Sequence, residues 1–334
     1  MTVLVTGAAG FIGYHVAERL LSMGEEVVGV DNLNTYYDVT LKQGRLDQLA
    51  RHPGFRFHKL DVSDREAVGA VVAANPGLDR IVHLAAQAGV RHSLIDPWSY
   101  IQSNVMGHLV VLEVARHLPK LRHLVYASTS SVYGANRELP FRETDRVDTP
   151  ISLYAATKRA DELMSHSYAH LFSLPQTALR FFTVYGPWGR PDMACYSFAR
   201  AIVAGEPITL YEGGELRRDF TYVDDIVAGV VGALAVPPDG RVLAENVGEG
   251  ASPWARIMNI GNHRSEKVID LVRLLEESLG RKAIIRTAPR PDVDVPETFA
   301  AVDKIGGLTG FSPSVRLSEG VPRFVAWFRK WHAV

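Results

Sequence analysis

The feature that most constrains this chain stands at its start. Thr2-Val-Leu-Val-Thr6 is a short, β-branched apolar run of the kind that forms a buried strand. It leads directly into Gly7-Ala-Ala-Gly10-Phe11-Ile12-Gly13, and from Phe11 to Leu21 apolar residues recur at helical spacing. A strand therefore runs into a glycine turn that opens a helix. The first turn of a helix leaves amide N–H groups unpaired and carries positive partial charge, so it attracts phosphate. Glycines let the backbone turn tightly and come close to a pyrophosphate. The spacing is G-x-x-G-x-x-G rather than G-x-G-x-x-G, which predicts a differently shaped turn. By itself such a pattern also fits an ordinary glycine-rich turn; its place between a strand and a helix favours dinucleotide binding.

Glu26-Val-Val-Gly-Val30 is the second strand, and Asp31 stands at its tip, 18 residues beyond Gly13. A carboxylate there can accept hydrogen bonds from the adenosine ribose and would repel a 2′-phosphate, which favours NAD over NADP. Asn32 follows it, and Asp31-Asn32 also reads as strand-end turn chemistry. Phe55–Leu60 reads as a third strand ending at Asp61-Val62, an adenine-edge position, and a short helix covers Asp64–Ala74. Arg80–Leu84 reads as a fourth strand, running into Ala85 and Ala86, small residues against which a cofactor could lie. Strands alternating with helices predict an α/β, Rossmann-like, doubly wound parallel sheet, with ligands at the carboxyl ends of its strands.

Pro97–His117 reads as one long amphipathic helix carrying Asn104, either a satisfied core amide or a group behind the cofactor site. Leu121–Tyr126 is the fifth strand, and four hydroxyls, Ser128-Thr129-Ser130-Ser131, follow at its carboxyl end. Pro150–Lys158 opens the next helix, with Ser152 as its N-cap. Tyr154 and Lys158 are four apart and share a helix face. Tyrosine acts as a base near neutral pH only where a cation stabilises its phenolate. Lys158 and an oxidised nicotinamide would both do so.

Bulk properties fit a soluble globular protein. The 334 residues suffice for two domains, with 47% apolar residues, 22% charged residues and a net charge of −1. No broad basic excess points to nucleic acid. Cys195 is the only cysteine, which rules out an internal disulfide and a thiolate metal cluster. His166 and His170 lie one turn apart with no acidic partner between them, so no metal site is expected. The first residues enter a strand at once and no long apolar stretch follows, so neither a signal peptide nor a membrane span is expected and a cytoplasmic protein is.

Together, Gly7-x-x-Gly10-x-x-Gly13, Thr129 and Tyr154-x-x-x-Lys158 resemble the extended short-chain dehydrogenase/reductase family of nucleotide-sugar enzymes. So do Leu84-Ala-Ala, Arg180-Phe-Phe-Thr-Val-Tyr-Gly-Pro187, Arg218-Asp-Phe-Thr-Tyr-Val-Asp-Asp225 and Asn259-Ile-Gly261. Within it, Asp31–Asp38 and Tyr185-Gly-Pro-Trp-Gly-Arg190-Pro-Asp192 most resemble UDP-glucuronate 4-epimerases. The resemblance implies an NAD-binding lobe from 1–180, with about 219–262 returning to it. It implies a nucleotide-sugar lobe from 181–218 and about 263–334, and a homodimer through the Pro97–His117 and Ser152–Leu171 helices.

The resemblance also implies roles. Tyr154 would take the sugar 4-hydroxyl proton while C4 gives hydride to tightly held NAD, with Thr129 and Lys158 assisting. Gly7, Gly10, Phe11, Ile12, Gly13, Asp31, Asn32, Asp61, Val62, Leu84, Ala85, Ala86 and Asn104 would hold the cofactor beside Tyr154 and Lys158. Arg91, Ser130, Ser131, Thr183, Arg190 and Arg218 would hold the UDP-sugar, with Arg218 on the diphosphate and Arg190 on a carboxylate. Related decarboxylases carry Glu where Ser131 stands, and related dehydratases Asp-Glu in that loop; Ser130-Ser131 has neither. A UDP-glucose 4-epimerase, a UDP-glucuronate decarboxylase and a non-catalytic NAD-binding regulator are the alternatives. Arg290-Pro-Asp-Val-Asp294 departs from the family's Gly-Asp-Val turn, which leaves Arg290 and Asp294 without assigned roles, and Arg217 reads as solvated.

Overall fold

A computed structural model describes residues 1–241 and 252–334. Strand β1 (Thr2–Thr6) shows why the chain folds in layers. Val3 and Val5 point into one apolar cluster and Leu4 into another, all three almost fully buried. Alternating side chains can be buried in this way only where both faces of a sheet are covered. Six further strands join it: β2 (Glu26–Asp31), β3 (Phe55–Lys59), β4 (Leu78–His83), β5 (His123–Thr129), β6 (Gln176–Phe181) and β11 (Ala255–Ile260). The order is β3-β2-β1-β4-β5-β6-β11, and every neighbouring pair is parallel. The order reverses between β1 and β4, which opens a crevice at the carboxyl ends of these strands.

Helices α1 (Phe11–Ser22) and α8 (Val223–Ala235) cover one face, and α3 (Arg65–Ala74), α5 (Gly107–His117) and α6 (Leu153–Phe172) the other. Helix α2 (Val39–Leu49) packs beside α1. Ser152 caps α6, its Oγ accepting from the Ala155 amide at 3.1 Å, as the sequence predicts. Among the described residues no helix is long and apolar enough to cross a membrane.

The predicted single helix over 97–117 has a different form. One α-helical turn, α4 (Pro97–Tyr100), passes into a π-helical stretch at Ile101–Met106 before α5 begins. The wider turn goes with Asn104 facing inward: its side chain bridges the backbone N–H and C=O of Gln87.

Past β6 the chain builds short pairs beyond the sheet's carboxyl edge. Strand β7 (Thr183–Tyr185) pairs in parallel with β10 (Phe220–Tyr222), and β8 (Pro207–Tyr211) with β13 (Ile284–Ala288). Strand β9 (Arg217–Arg218) pairs antiparallel with β12 (Glu266–Lys267). Helices α7 (Ala194–Ala204), α9 (Val268–Leu279), α10 (Asp303–Thr309) and α11 (Leu317–His332) complete this part. A cleft of about 980 Å³ lies between it and the sheet.

Candidate active site

Each glycine of the first turn meets a different need. Gly7 has φ of +71°, and a Cβ there would lie 2.8 Å from the Ala85 amide nitrogen. A Cβ on Gly13 would stand 2.0 Å from the Gly7 carbonyl oxygen, and one on Gly10 2.9 Å from it. The turn closes through the Gly10 amide donating to that same carbonyl at 2.8 Å. Helix α1 starts without a side-chain cap, and Gly10, Phe11, Ile12 and Gly13 line the cleft. Uncapped first-turn amides beside a narrow backbone cradle fit a pyrophosphate.

Asp31 is buried at the cleft's edge, where its carboxylate accepts from the amides of Ala9 (3.2 Å) and Leu33 (2.8 Å). Asn32, Val62, Leu84, Ala85 and Ala86, all expected to hold the cofactor, line the cleft. Two predicted cofactor contacts do not. Asp61 accepts from Asn32 Nδ2 (2.8 Å) and from the backbone N–H and hydroxyl of Ser63, so it shapes the turn carrying Asn32 instead of lining the cleft. Asn104 is buried between Gln87 and Thr157, whose Oγ1 it reaches at 3.0 Å. It ties the loop after β4 to α6 from behind.

Thr129 ends β5, and Ser130–Tyr133 continue as a 3-10 turn in which the Ser131 amide donates to Thr129 Oγ1 at 3.2 Å. Thr129, Ser130, Ser131, Tyr154 and Lys158 all line the cleft. Lys158 is buried and its Nζ donates to Asp161 Oδ2 at 2.6 Å. Burial pushes the Asp161 carboxyl up to about 6, against the pull of Lys158. Behind this row Glu162 takes two hydrogen bonds of 2.9 Å from Arg180 and one of 2.6 Å from Ser128 Oγ. This buried network keeps α6, β5 and β6 in one register, so the tyrosine helix and the hydroxyl strand end are held together.

Across the cleft, Arg190 is held by Asp192 through two hydrogen bonds, Nε at 3.0 Å and Nη2 at 2.5 Å. Burial raises the Asp192 carboxyl, but Arg190 outweighs it and holds it below the usual range. Tyr36 Oη donates to the same carboxylate at 3.2 Å and its ring lies on His92. Thr183 and Arg218 also line the cleft. Arg218 Nη2 donates to Asp294 Oδ1 at 2.5 Å, and Arg91 Nη2 reaches Asp294 Oδ2 at 3.4 Å over the ring of Tyr211. Asp294 therefore sits in the site between two arginines, whereas Arg290 serves the backbone by donating to the Asp294 carbonyl. Arg217 is not simply solvated: it contacts Ser265 and Glu297. His166 and His170 both lie on the exposed face of α6.

Sequence reasoning assigned no role to Tyr36, Gln87, Asp192 or Tyr211, all of which line the cleft. Tyr36 and Asp192 stand within the two segments that carry the closer resemblance, which was the available signal.

Residues 3–261 match the family model described as the NAD dependent epimerase/dehydratase family. A probable UDP-glucuronate 4-epimerase of Rhizobium meliloti is 49% identical over 333 residues, covering 98% of this chain and 97% of that one. UDP-glucuronate 4-epimerase 1 of Arabidopsis thaliana is 43% identical over 339 residues, covering 99% and 77%. The crystal structure of UDP-glucuronic acid 4-epimerase from Bacillus cereus, in complex with UDP-glucuronic acid and NAD, superposes with a TM-score of 0.88 at 32% identity, covering 99% and 100%. With a full-length relative at this identity and a family model spanning most of its residues, the chain belongs to the NAD-dependent epimerase/dehydratase family.

Proposed function

We propose that this chain is a UDP-glucuronate 4-epimerase that interconverts UDP-glucuronate and UDP-galacturonate with tightly held NAD. One observation carries the reading: Thr129, Tyr154 and Lys158 face the same cleft as the phosphate cradle on one side and Arg190 and Arg218 on the other. When bound, NAD supplies the hydride acceptor for C4 of the sugar and returns the hydride. Tyr154 takes the 4-hydroxyl proton and later gives it back, and Thr129 orients the same oxygen. Lys158 stabilises the phenolate and holds the nicotinamide ribose. Asp31 accepts from the adenosine ribose. Arg218, with Arg91 beside it, binds the diphosphate, a use suited to a planar fork of donors.

The sugar carboxylate sets a further demand. Oxidation at C4 of a glucuronate gives a β-keto acid, which loses CO2 when its C–C bond aligns with the ketone π system. Directional donors must hold that carboxylate out of alignment. Arg190, Thr183, Ser130 and Ser131 supply them, and no acid stands in the Ser130-Ser131 turn to promote decarboxylation or dehydration.

The test is incubation with UDP-glucuronate, no added cofactor, and product identification by NMR. UDP-galacturonate is expected, and Tyr154→Phe should lower turnover by about 10²–10⁴-fold. A pentose product, turnover on UDP-glucose alone, or a Tyr154→Phe variant at full rate would overturn the reading. We also infer a homodimer. Trp98 and Ile101 before α5, and Leu163 and Leu171 on α6, are large exposed apolar side chains on the two helical segments predicted to pair, and exposed Leu94, Ile95 and Phe172 adjoin them. Sedimentation at the mass of one 36.8 kDa chain would refute it.

A further inference from the structure

Among the described residues the two most deeply buried arginines, Arg45 and Arg180, have different surroundings. Arg180 meets the Glu162 carboxylate through two hydrogen bonds. Arg45, on α2, has no carboxylate within 4 Å among the described residues; its acceptors are all neutral. Its Nη1 donates to the Ala9 carbonyl and the Tyr37 hydroxyl, each at 2.7 Å. Its Nη2 donates to the Trp188 carbonyl at 2.6 Å and the Gly189 carbonyl at 3.4 Å, and its buried Nε has no partner. A buried cation without a counter-charge is costly.

The nearby groups do not balance it. Asp31 accepts from the Ala9 amide, and its ion-pair partner is Lys42, whose Nζ stands 3.8 Å away. His15, packed close by, is kept neutral because burial lowers it to about 4. Asp31 is thus paired with Lys42, and Arg45 is left without a carboxylate of its own. The missing anion belongs on the other side of Ala9, where the cradle and the uncapped helix start fit a pyrophosphate.

The same guanidinium reaches the sugar side. Trp188 and Gly189, whose carbonyls it holds, immediately precede Arg190. Trp188 sits at φ of +61°, an uncommon conformation for a bulky residue that needs outside support. His15 Nε2 adds a contact of 2.9 Å to the Pro187 carbonyl.

We propose that Arg45 is a positioning residue that couples the two ends of the site. The cofactor's pyrophosphate neutralises its charge, and its fork fixes the backbone that presents Arg190 to the sugar. NAD occupancy thereby sets the sugar-carboxylate anchor. This rests on the NAD reading of the cleft, which the cofactor content and turnover of the unmodified protein test separately.

Hydrogen exchange on the full-length chain, stripped of cofactor, tests the coupling without any variant. NAD alone, with no sugar, is expected to slow exchange at 186–193 as well as at 7–13. Protection confined to 7–13 overturns the proposal. Arg45→Met should bind NAD about tenfold or more weakly, melt no lower than the parent when cofactor-free, and gain less melting temperature from NAD. Arg45→Lys, which keeps the charge but loses the fork, should recover much of the NAD affinity without the protection at 186–193. A merely structural role predicts an equal fall in melting temperature with and without NAD, and an unchanged NAD affinity; either result refutes the proposal.

Discussion

The two ends of the cleft meet their ligands in opposite ways. At the glycine turn the donors are backbone amides, fixed by a fold in which an added methyl group collides with peptide atoms. At the end proposed for the sugar nucleotide the donors would be guanidinium groups already held by carboxylates, Arg190 by Asp192 and Arg218 by Asp294. The first end is preformed and tolerates no change in shape. The second exchanges one anion for another, so its arginines are kept in place between turnovers by internal carboxylates. A cofactor that stays bound, as proposed, and a substrate that must leave would call for these two solutions respectively.

The largest effect that separates them is expected from Gly13→Ala. The new Cβ would meet the Gly7 carbonyl at 2.0 Å, and backbone must move. Overpacking of this kind costs about 1–3 kcal/mol, and the upper end is about a hundredfold in affinity. NAD binding measured by calorimetry should fall by that order. Gly69→Ala, on α3 with open space around it, is the control and should leave binding unchanged. Equal effects from the two substitutions would break the claim that the cradle's shape does the binding.

Arg190→Ala should act at the other end alone. Removing one partner of a charge pair buried against ligand costs about 2–5 kcal/mol, so kcat/KM for UDP-glucuronate should fall by at least about thirtyfold, with pentose product released. NAD affinity should stay within about threefold of the parent. Loss of NAD from this variant would show that the ends are not separable in that direction.

What the sequence made legible follows the same division. The cradle, Asp31 and the Tyr154–Lys158 pair are local patterns: spacing within one turn or one strand end sets their geometry, so they can be read from neighbouring residues. The sheet order follows from alternating elements and the preference for one crossover hand. The sugar end depends on side chains far apart in the chain. Tyr36 reaches Asp192 across 156 positions and Arg218 reaches Asp294 across 76, and no periodicity announces such pairs. Asp61, expected at the adenine edge, and Asn104, expected either as a satisfied core amide or behind the cofactor site, show the reverse case. Both stand where a cofactor contact belongs, and both turn to backbone and side-chain partners that only the folded loops bring near. Arg45 falls in the stretch 38–51, which the sequence marks only as one that could add cofactor contacts; its burial becomes visible only when Ala9 and Trp188 meet around it.

The smallest predicted effect probes the exchange of anions most directly. Asp294 is about a quarter exposed and lies between Arg218 and Arg91, in the place proposed for the UDP diphosphate. Its carboxylate does two things: it holds Arg218 in position, and it repels an incoming phosphate. Ion pairs this close to solvent contribute only about 0–1 kcal/mol, so the loss of positioning is small. The repulsion acts against a ligand with two negative charges at short range, and an amide removes it while keeping an oxygen that can accept a hydrogen bond. Asp294→Asn should therefore lower KM for UDP-glucuronate by about two- to fivefold, a free-energy change of at most about 1 kcal/mol. kcat and NAD affinity should not change, because neither Tyr154 nor the cradle contacts this residue. A KM that rises instead would mean that the carboxylate binds the nucleotide itself, and the sugar end would then be as preformed as the glycine turn.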